Sequence, residues 1–240
     1  RREGSARREC ENVAEDVGGI DGLIIIRRYE SDLLLSNMYM IVEGTRAVVI
    51  DPFRDTSLAK DLTVDKILLT HEHYDHISGV NLWKKETRAP VLCSKACDAN
   101  MRNPQKNMSK HFKEFCKLQT WICLQEIPEA DTEYSCEAEE YFEDELFFEW
   151  QGHQWHLFEM PGHSLGSIGI LLDNIYFFSG DSLMENCKIE LRMPGGSRKK
   201  WKEVGEVRLR QIPYGIRIYP GHFKDFTYHE KRSELVGFPT

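Results

Sequence analysis

Three histidines and an aspartate crowd into the six positions from His71 to His76, in the run Thr70-His71-Glu72-His73-Tyr74-Asp75-His76. Such a density of imidazole and carboxylate has no shared structural purpose without a cation to hold. These side chains are ligands of Zn²⁺ and other borderline-soft divalent metals, and catalytic sites built from them keep a position open for water. The helical H-E-x-x-H pattern is excluded, because Asp75 stands four residues after His71. His71 and His73, two apart, project to one side of an extended segment, whereas the adjacent Asp75 and His76 diverge. One short loop can thus feed two neighbouring metal positions.

The rest of the chain repeats a single local grammar. Val64 to Thr70 reads as a buried strand ending at the cluster. Trp155 to Glu159 runs into Pro161-Gly162-His163-Ser164, Ile175 to Phe178 into Gly180-Asp181, Ile216 to Tyr219 into Pro220-Gly221-His222, and Val48 to Ile50 into Asp51-Pro52. Each is a short β-branched or aromatic strand with a metal-competent side chain at its end, most of them at a glycine-marked turn. Strand ends converging on one rim are how α/β architectures assemble active sites. Residues 94 to 118 have helical spacing with a break at Pro104, and 199 to 211 read as a helix stopping before Pro213. Two half-sandwiches are expected, near 23 to 128 and 129 to 240.

Taken in order, H-x-H-x-D-H, G-H, G-D and G-H behind an aspartate that closes an early strand resemble the metallo-β-lactamase superfamily, over about Ile24 to His229. The resemblance implies an α/β (α+β) fold, a four-layer αβ/βα sandwich, with a loose tail at 1–22 and a single domain at 23–240. It implies a first metal held by His71, His73 and His163, a second held by Asp75, His76 and His222, and Asp181 bridging both. Asp51 would support the ligands from behind without binding metal. Two Zn²⁺ are the expected cofactors, with Fe or Mn as alternatives. Within the superfamily, Asn37-Met38-Tyr39, Asn103 to Ser109, Gly180 to Leu183, Pro194 to Gly196 and Tyr219 to His222 followed by Thr227 and Glu230 resemble the glyoxalase II-like branch. Hydroxyacylglutathione hydrolase adds a C-terminal helical region for glutathione; this sequence ends eighteen residues after His222, so a glutathione thioester is not singled out.

Charge bears on partners. A net charge of −8 disfavours nucleic acid. No run of eighteen apolar residues marks a membrane span. The start at Arg1-Arg2 shows nothing like a secretion signal, and seven scattered cysteines fit reduced thiols, so a cytoplasmic location is expected. No Lys or Arg occurs from Leu118 to Cys187, a stretch holding Glu137, Glu139, Glu140, Glu143, Asp144 and Glu145, which reads as a solvated face. Lys188 and Arg192 follow just past Asp181 and are the candidate contacts for an anionic substrate. Cys187 sits on the same loop.

The ligand set implies two cations sharing an acidified water as nucleophile, with Asp75 and Asp181 as catalytic carboxylates: Asp75 handles the proton and Asp181 holds the metals together. The expected activity is hydrolysis of a thioester, ester, lactone or amide in a small molecule. A phosphodiesterase of the same fold is the near alternative. A mononuclear iron enzyme resembling the persulfide dioxygenases, with iron on His71, His163 and Asp181, is the other, and a non-catalytic binding module is a third. Oligomeric state is not legible.

Overall fold

The computed structural model describes residues 17–18, 24–118 and 129–229. Its first sheet is built from β1 (Val17–Gly18), β2 (Ile25–Glu30), β3 (Asn37–Glu43), β4 (Arg46–Ile50), β5 (Thr63–Leu68), β6 (Val91–Ser94) and β7 (Glu140–Phe142), lying in that spatial order. The pairs from β1 to β4 are antiparallel and those from β4 to β7 parallel. The second sheet contains β8 (Glu145–Trp150), β9 (His153–Glu159), β10 (Ile168–Leu172), β11 (Tyr176–Gly180), β12 (Arg217–Pro220) and β13 (Phe226–Thr227). Within it only β11 and β12 run parallel.

Period-two alternation explains the layering. On β3, Tyr39 and Ile41 face the second sheet, where they meet Trp155, Leu157, Ile170 and Phe178. Met38, Met40 and Val42 face the other way, into a cluster with Trp83, Val91 and Met101. That outer cluster is covered by α1 (Tyr74–Ile77), α2 (Val80–Thr87), α3 (Lys95–Met101) and α4 (Phe112–Leu118). On the far side, Phe158, Leu171, Phe177 and Ile218 pack against Trp201 and Leu209. These two belong to one helical stretch: α5 (Arg198–Lys200), a π-helical turn at Trp201–Gly205, and α6 (Glu206–Leu209). Three hydrophobic seams therefore separate four layers, with helices outside and sheets inside. Each fully buried Leu, Ile or Phe in these seams contributes roughly 1.5–3 kcal/mol relative to exposure.

Several expectations shift here. Val17 and Gly18, inside the stretch expected as a loose tail, pair with Ile26 and Ile25. The division between halves falls later than residue 128, because Glu140, Tyr141 and Phe142 pair in parallel with Leu92, Cys93 and Ser94 and complete the first sheet. The acidic stretch is exposed but internally neutralised. Glu137 meets Arg102 at 2.7 Å, Glu139 meets Lys84 and Glu140 meets Lys66 at 2.6 Å, and Glu143 meets Lys95 at 2.8 Å. Asp144 and Glu145 pair with Arg208. Each such pair is worth little alone, yet together they tie the junction between the sheets to helices from both halves. Cys93, Cys97, Cys116, Cys136 and Cys187 are free thiols; Cys10 and Cys123 lie outside the described residues, as does Glu230. No described helix is long and apolar enough to cross a membrane.

Candidate metal centre

The ends of β4, β5, β9, β11 and β12 meet at one rim, and each delivers its polar residues there. After β5 the chain runs through Thr70 to His73 and turns into α1, which carries Asp75 and His76. Glycine makes the crowding feasible at two other corners. Gly180 has φ +49 and lies so close to Thr70 that a Cβ would sit 2.8 Å from its Oγ1. A Cβ on Gly221 would collide with the carboxylate of Asp181.

Two groups of donors result. One inward atom from each of His71, His73 and His163 lies within 4.8 Å of the others, and the same holds for Asp75, His76 and His222. Asp181 stands between them. Its Oδ1 is 3.5 Å from His76 Nε2, and its Oδ2 is 3.4 Å from both His163 Nε2 and His222 Nε2. All seven residues expected to hold metal are thus gathered into one buried volume.

What aims the imidazoles is a set of acceptors behind them. His73 Nε2 donates to the carbonyl of Pro194 at 3.0 Å, His163 Nδ1 to that of Glu190 at 3.0 Å, and His222 Nδ1 to that of Leu34 at 3.1 Å. His76 Nδ1 faces Asp51 Oδ2 at 3.1 Å. Thr70 Oγ1 donates to Asp51 Oδ2 at 2.5 Å and so accepts from His71 Nδ1 at 3.1 Å. Acceptors on one nitrogen assign the tautomer of each ring in its neutral form and leave the other nitrogen facing inward. Asp51 also takes the Thr70 amide at 2.7 Å and holds φ at +52, a conformation that few non-glycine residues adopt. Asp51, His71 and His76 also lie close enough to form a group by distance alone, but Asp51 already accepts three hydrogen bonds.

The inward atoms are short of partners. His71 Nε2, His76 Nε2 and Asp181 Oδ1 are buried and have no hydrogen bond among the described residues. His73 Nδ1 and His163 Nε2 face each other at 3.0 Å, lone pair to lone pair in the assigned tautomers. A cation resolves both conflicts, so the donor set fits divalent metals at two adjoining positions.

The electrostatics of the two groups differ. Burial, reinforced by neighbouring imidazoles, holds His71 well below the usual histidine range, and burial brings His163 down to about 4 against the pull of Asp181. Burial alone would lower His76 and His222 too. For His76 the carboxylates of Asp75, Asp181 and Asp51 outweigh burial and raise it to about 9, and for His222 Asp181 and Asp75 raise it well above its usual value. Burial would raise Asp75 and Asp181, but these same imidazoles hold both below the usual carboxylate range.

Above the donors opens a cleft of about 690 Å³. Met108, Phe115 and Leu118 line it from the α3–α4 stretch, and Met184, Cys187 and Met193 from the loop after Asp181. Asn107 fixes that first wall: its amide donates to the Met101 and Tyr134 carbonyls at 2.9 Å, and its Oδ1 takes the Ser109 amide at 2.9 Å. Met108 is held at φ +70 as a result. Lys188 and Arg192 are exposed and both border the cleft. Arg192 is already paired with Glu190 at 3.1 Å, whereas Lys188 has no ion pair among the described residues. Sequence reasoning missed the carbonyls of Leu34, Glu190 and Pro194, which have no side-chain signature, and it passed over Glu72.

The metallo-beta-lactamase superfamily profile matches residues 31–222, well over half of the chain. A probable metallo-hydrolase of Streptococcus pyogenes serotype M6 is 25% identical over 206 residues, covering 82% of this chain and 83% of that protein. A hydroxyacylglutathione hydrolase of Psychromonas ingrahamii is 25% identical over 210 residues, covering 85% of this chain but 66% of that protein. The crystal structure of the BLEG-1 B3 metallo-beta-lactamase superposes with a TM-score of 0.72 at 22% identity, covering 88% of this chain and 100% of that one, a likeness of fold.

Proposed function

Because this chain belongs to the metallo-beta-lactamase superfamily, we propose that it is a hydrolase dependent on two divalent cations, zinc foremost, that cleaves a thioester, ester, lactone or amide in a small molecule. The observation that carries this reading is the set of five imidazoles. Each has an acceptor for one nitrogen and turns the other inward to one of the two donor groups. His71, His73 and His163 would hold one cation, Asp75, His76 and His222 the other, and Asp181 both. When bound, such cations acidify a coordinated water toward neutral pH and polarise a carbonyl oxygen.

The chain's own residues supply the rest. Asp75, at the floor of the cleft, takes up the proton of the attacking water and carries it toward the leaving group. Met108, Phe115 and Met184 shield an apolar acyl body from water, and methionine's flexible thioether adapts to varied shapes. Lys188 offers the anionic end of the substrate an ammonium group at the rim, and Arg192 offers a weaker contact because Glu190 already occupies it. The hydroxyacylglutathione hydrolase relative supports a thioester among these bonds, over the part of that protein that aligns.

Elemental analysis joined to a panel of thioesters, lactones, β-lactams and phosphodiesters tests the proposal. Two divalent metals per chain and turnover of an acyl substrate are expected. A single iron per chain with oxygen uptake on glutathione persulfide would replace it with the mononuclear oxygenase.

A further inference from the structure

Glu72 stands between His71 and His73, is fully buried, and belongs to neither donor group. Its carboxylate is satisfied away from the imidazoles. Oε1 accepts from Asn100 Nδ2 of α3 at 2.9 Å, and Oε2 accepts from Ser164 Oγ at 2.8 Å. Ser164 directly follows His163, and its amide is fixed by Ser167 Oγ at 3.1 Å. The surrounding backbone has closed around the carboxylate. A Cβ on Gly166 would collide with Oε2, and one on Gly195 would sit 3.3 Å from Oε1. Gly195 in turn follows Pro194, whose carbonyl orients His73. A carboxylate is costly to bury and no Lys or Arg among the described residues pairs with it, so its retention here needs a reason.

We propose that Glu72 is a positioning residue for the first metal position. Its two hydrogen bonds lock the segment carrying His71 and His73 to the segment carrying His163, so that three imidazoles on distant parts of the chain converge before a cation arrives. The proposal rests on reading this site as a metal centre. It concerns only the first position: the second draws its orientation from Asp51 and Leu34, which Glu72 does not touch.

Stepwise zinc titration against a chromophoric chelator, with cobalt absorption bands reporting the three-histidine position, tests it on the full chain. Glu72→Ala should weaken the first position ten- to a hundredfold, the usual cost of losing a group behind metal ligands, and leave the second unchanged. Glu72→Gln, equal in size and able to accept at one atom and donate at the other, should restore most of that loss. Should Glu72→Ala fail to fold, Ser164→Ala removes one hydroxyl of the same link and should weaken the same position alone. Wild-type affinity at the first position in the folded variants, or equal loss at both positions alongside a lowered Tm, overturns the proposal. A wild-type chain that takes up no divalent cation overturns the metal-centre reading and this inference with it.

Discussion

Asp51 and His76 meet at 3.1 Å, carboxylate to Nδ1, and the same Asp51 oxygen receives the Thr70 hydroxyl that accepts from His71. One carboxylate at the end of β4 therefore aims an imidazole in each donor group. Asp51→Asn should weaken binding at both metal positions, by about ten- to a hundredfold, while Asp51 itself stays out of the coordination. Paired zinc affinities for the wild type and the variant check this; loss confined to one position contradicts the shared role.

The two positions should load in order, with different proton balances. His71 and His163 are held below their usual range, His163 at about 4, so they are neutral near pH 7 and ready to bind. His76, at about 9, and His222 are protonated there and must release protons to bind a cation. At pH 7 the second metal equivalent should therefore release more protons than the first. Calorimetry in buffers of differing ionisation heat measures the difference.

Stability of the metal-free chain should peak near the ordinary histidine value. The raised His76 and His222 stabilise the fold fully below about pH 6.5, and this is lost as pH rises, for His76 through about 9. The lowered His71 and His163 act oppositely: the unfolded chain binds protons first, so stability falls as pH drops from about 6.5 toward 4. Melting of chelator-treated protein across this range should show a maximum that metal loading removes on the alkaline side.

Lys188 and Arg192 should separate. Lys188→Ala should raise KM for an anionic substrate several-fold to a hundredfold with kcat little changed, whereas Arg192→Ala, already neutralised by Glu190, should have the smaller effect. Equal kinetics across wild type and both variants return the two side chains to the solvated surface.

The apolar wall predicts a chain-length effect. At ~0.8 kcal/mol per buried methylene, kcat/KM should rise about three- to fourfold for each added CH₂ of a straight acyl group while it remains against the wall. Met108→Gln should flatten that slope without changing metal content. A flat series in the wild type argues for a polar substrate.

Asp181→Ala, by removing the carboxylate shared by both donor groups, should weaken both metals and lower hydrolysis by several orders of magnitude. His71→Ala and His222→Ala should each empty mainly one position. Full activity in His222→Ala moves the mononuclear reading ahead.

The donor residues were legible because each follows a strand whose residue types signal it, and because Gly180 and Gly221 mark corners where only a backbone can pass. The acceptors behind them were not, since a carbonyl of Leu34, Glu190 or Pro194 looks alike in every sequence. β7 escaped because Glu140-Tyr141-Phe142 sits in an acidic run that argues for solvent, and only its pairing with β6 and the Lys66–Glu140 ion pair explain it as a strand. The helix near 199 to 211 was visible, but its π-helical turn at Trp201–Gly205 was not. Glu72 looked like a spacer between two ligands because its partners, Asn100 and Ser164, are 28 and 92 residues away.

Beyond Asp181, the loop from Ser182 to Pro194 grips His73 and His163 through the main-chain oxygens of Pro194 and Glu190, while its side chains at Met184, Cys187, Lys188 and Arg192 face the cleft. Selection can therefore rewrite what the cleft accepts without disturbing how the imidazoles are aimed. A library randomised at those four positions should retain metal in most members while its substrate preferences scatter, giving this chain a route to new substrates that leaves its reactive centre inherited.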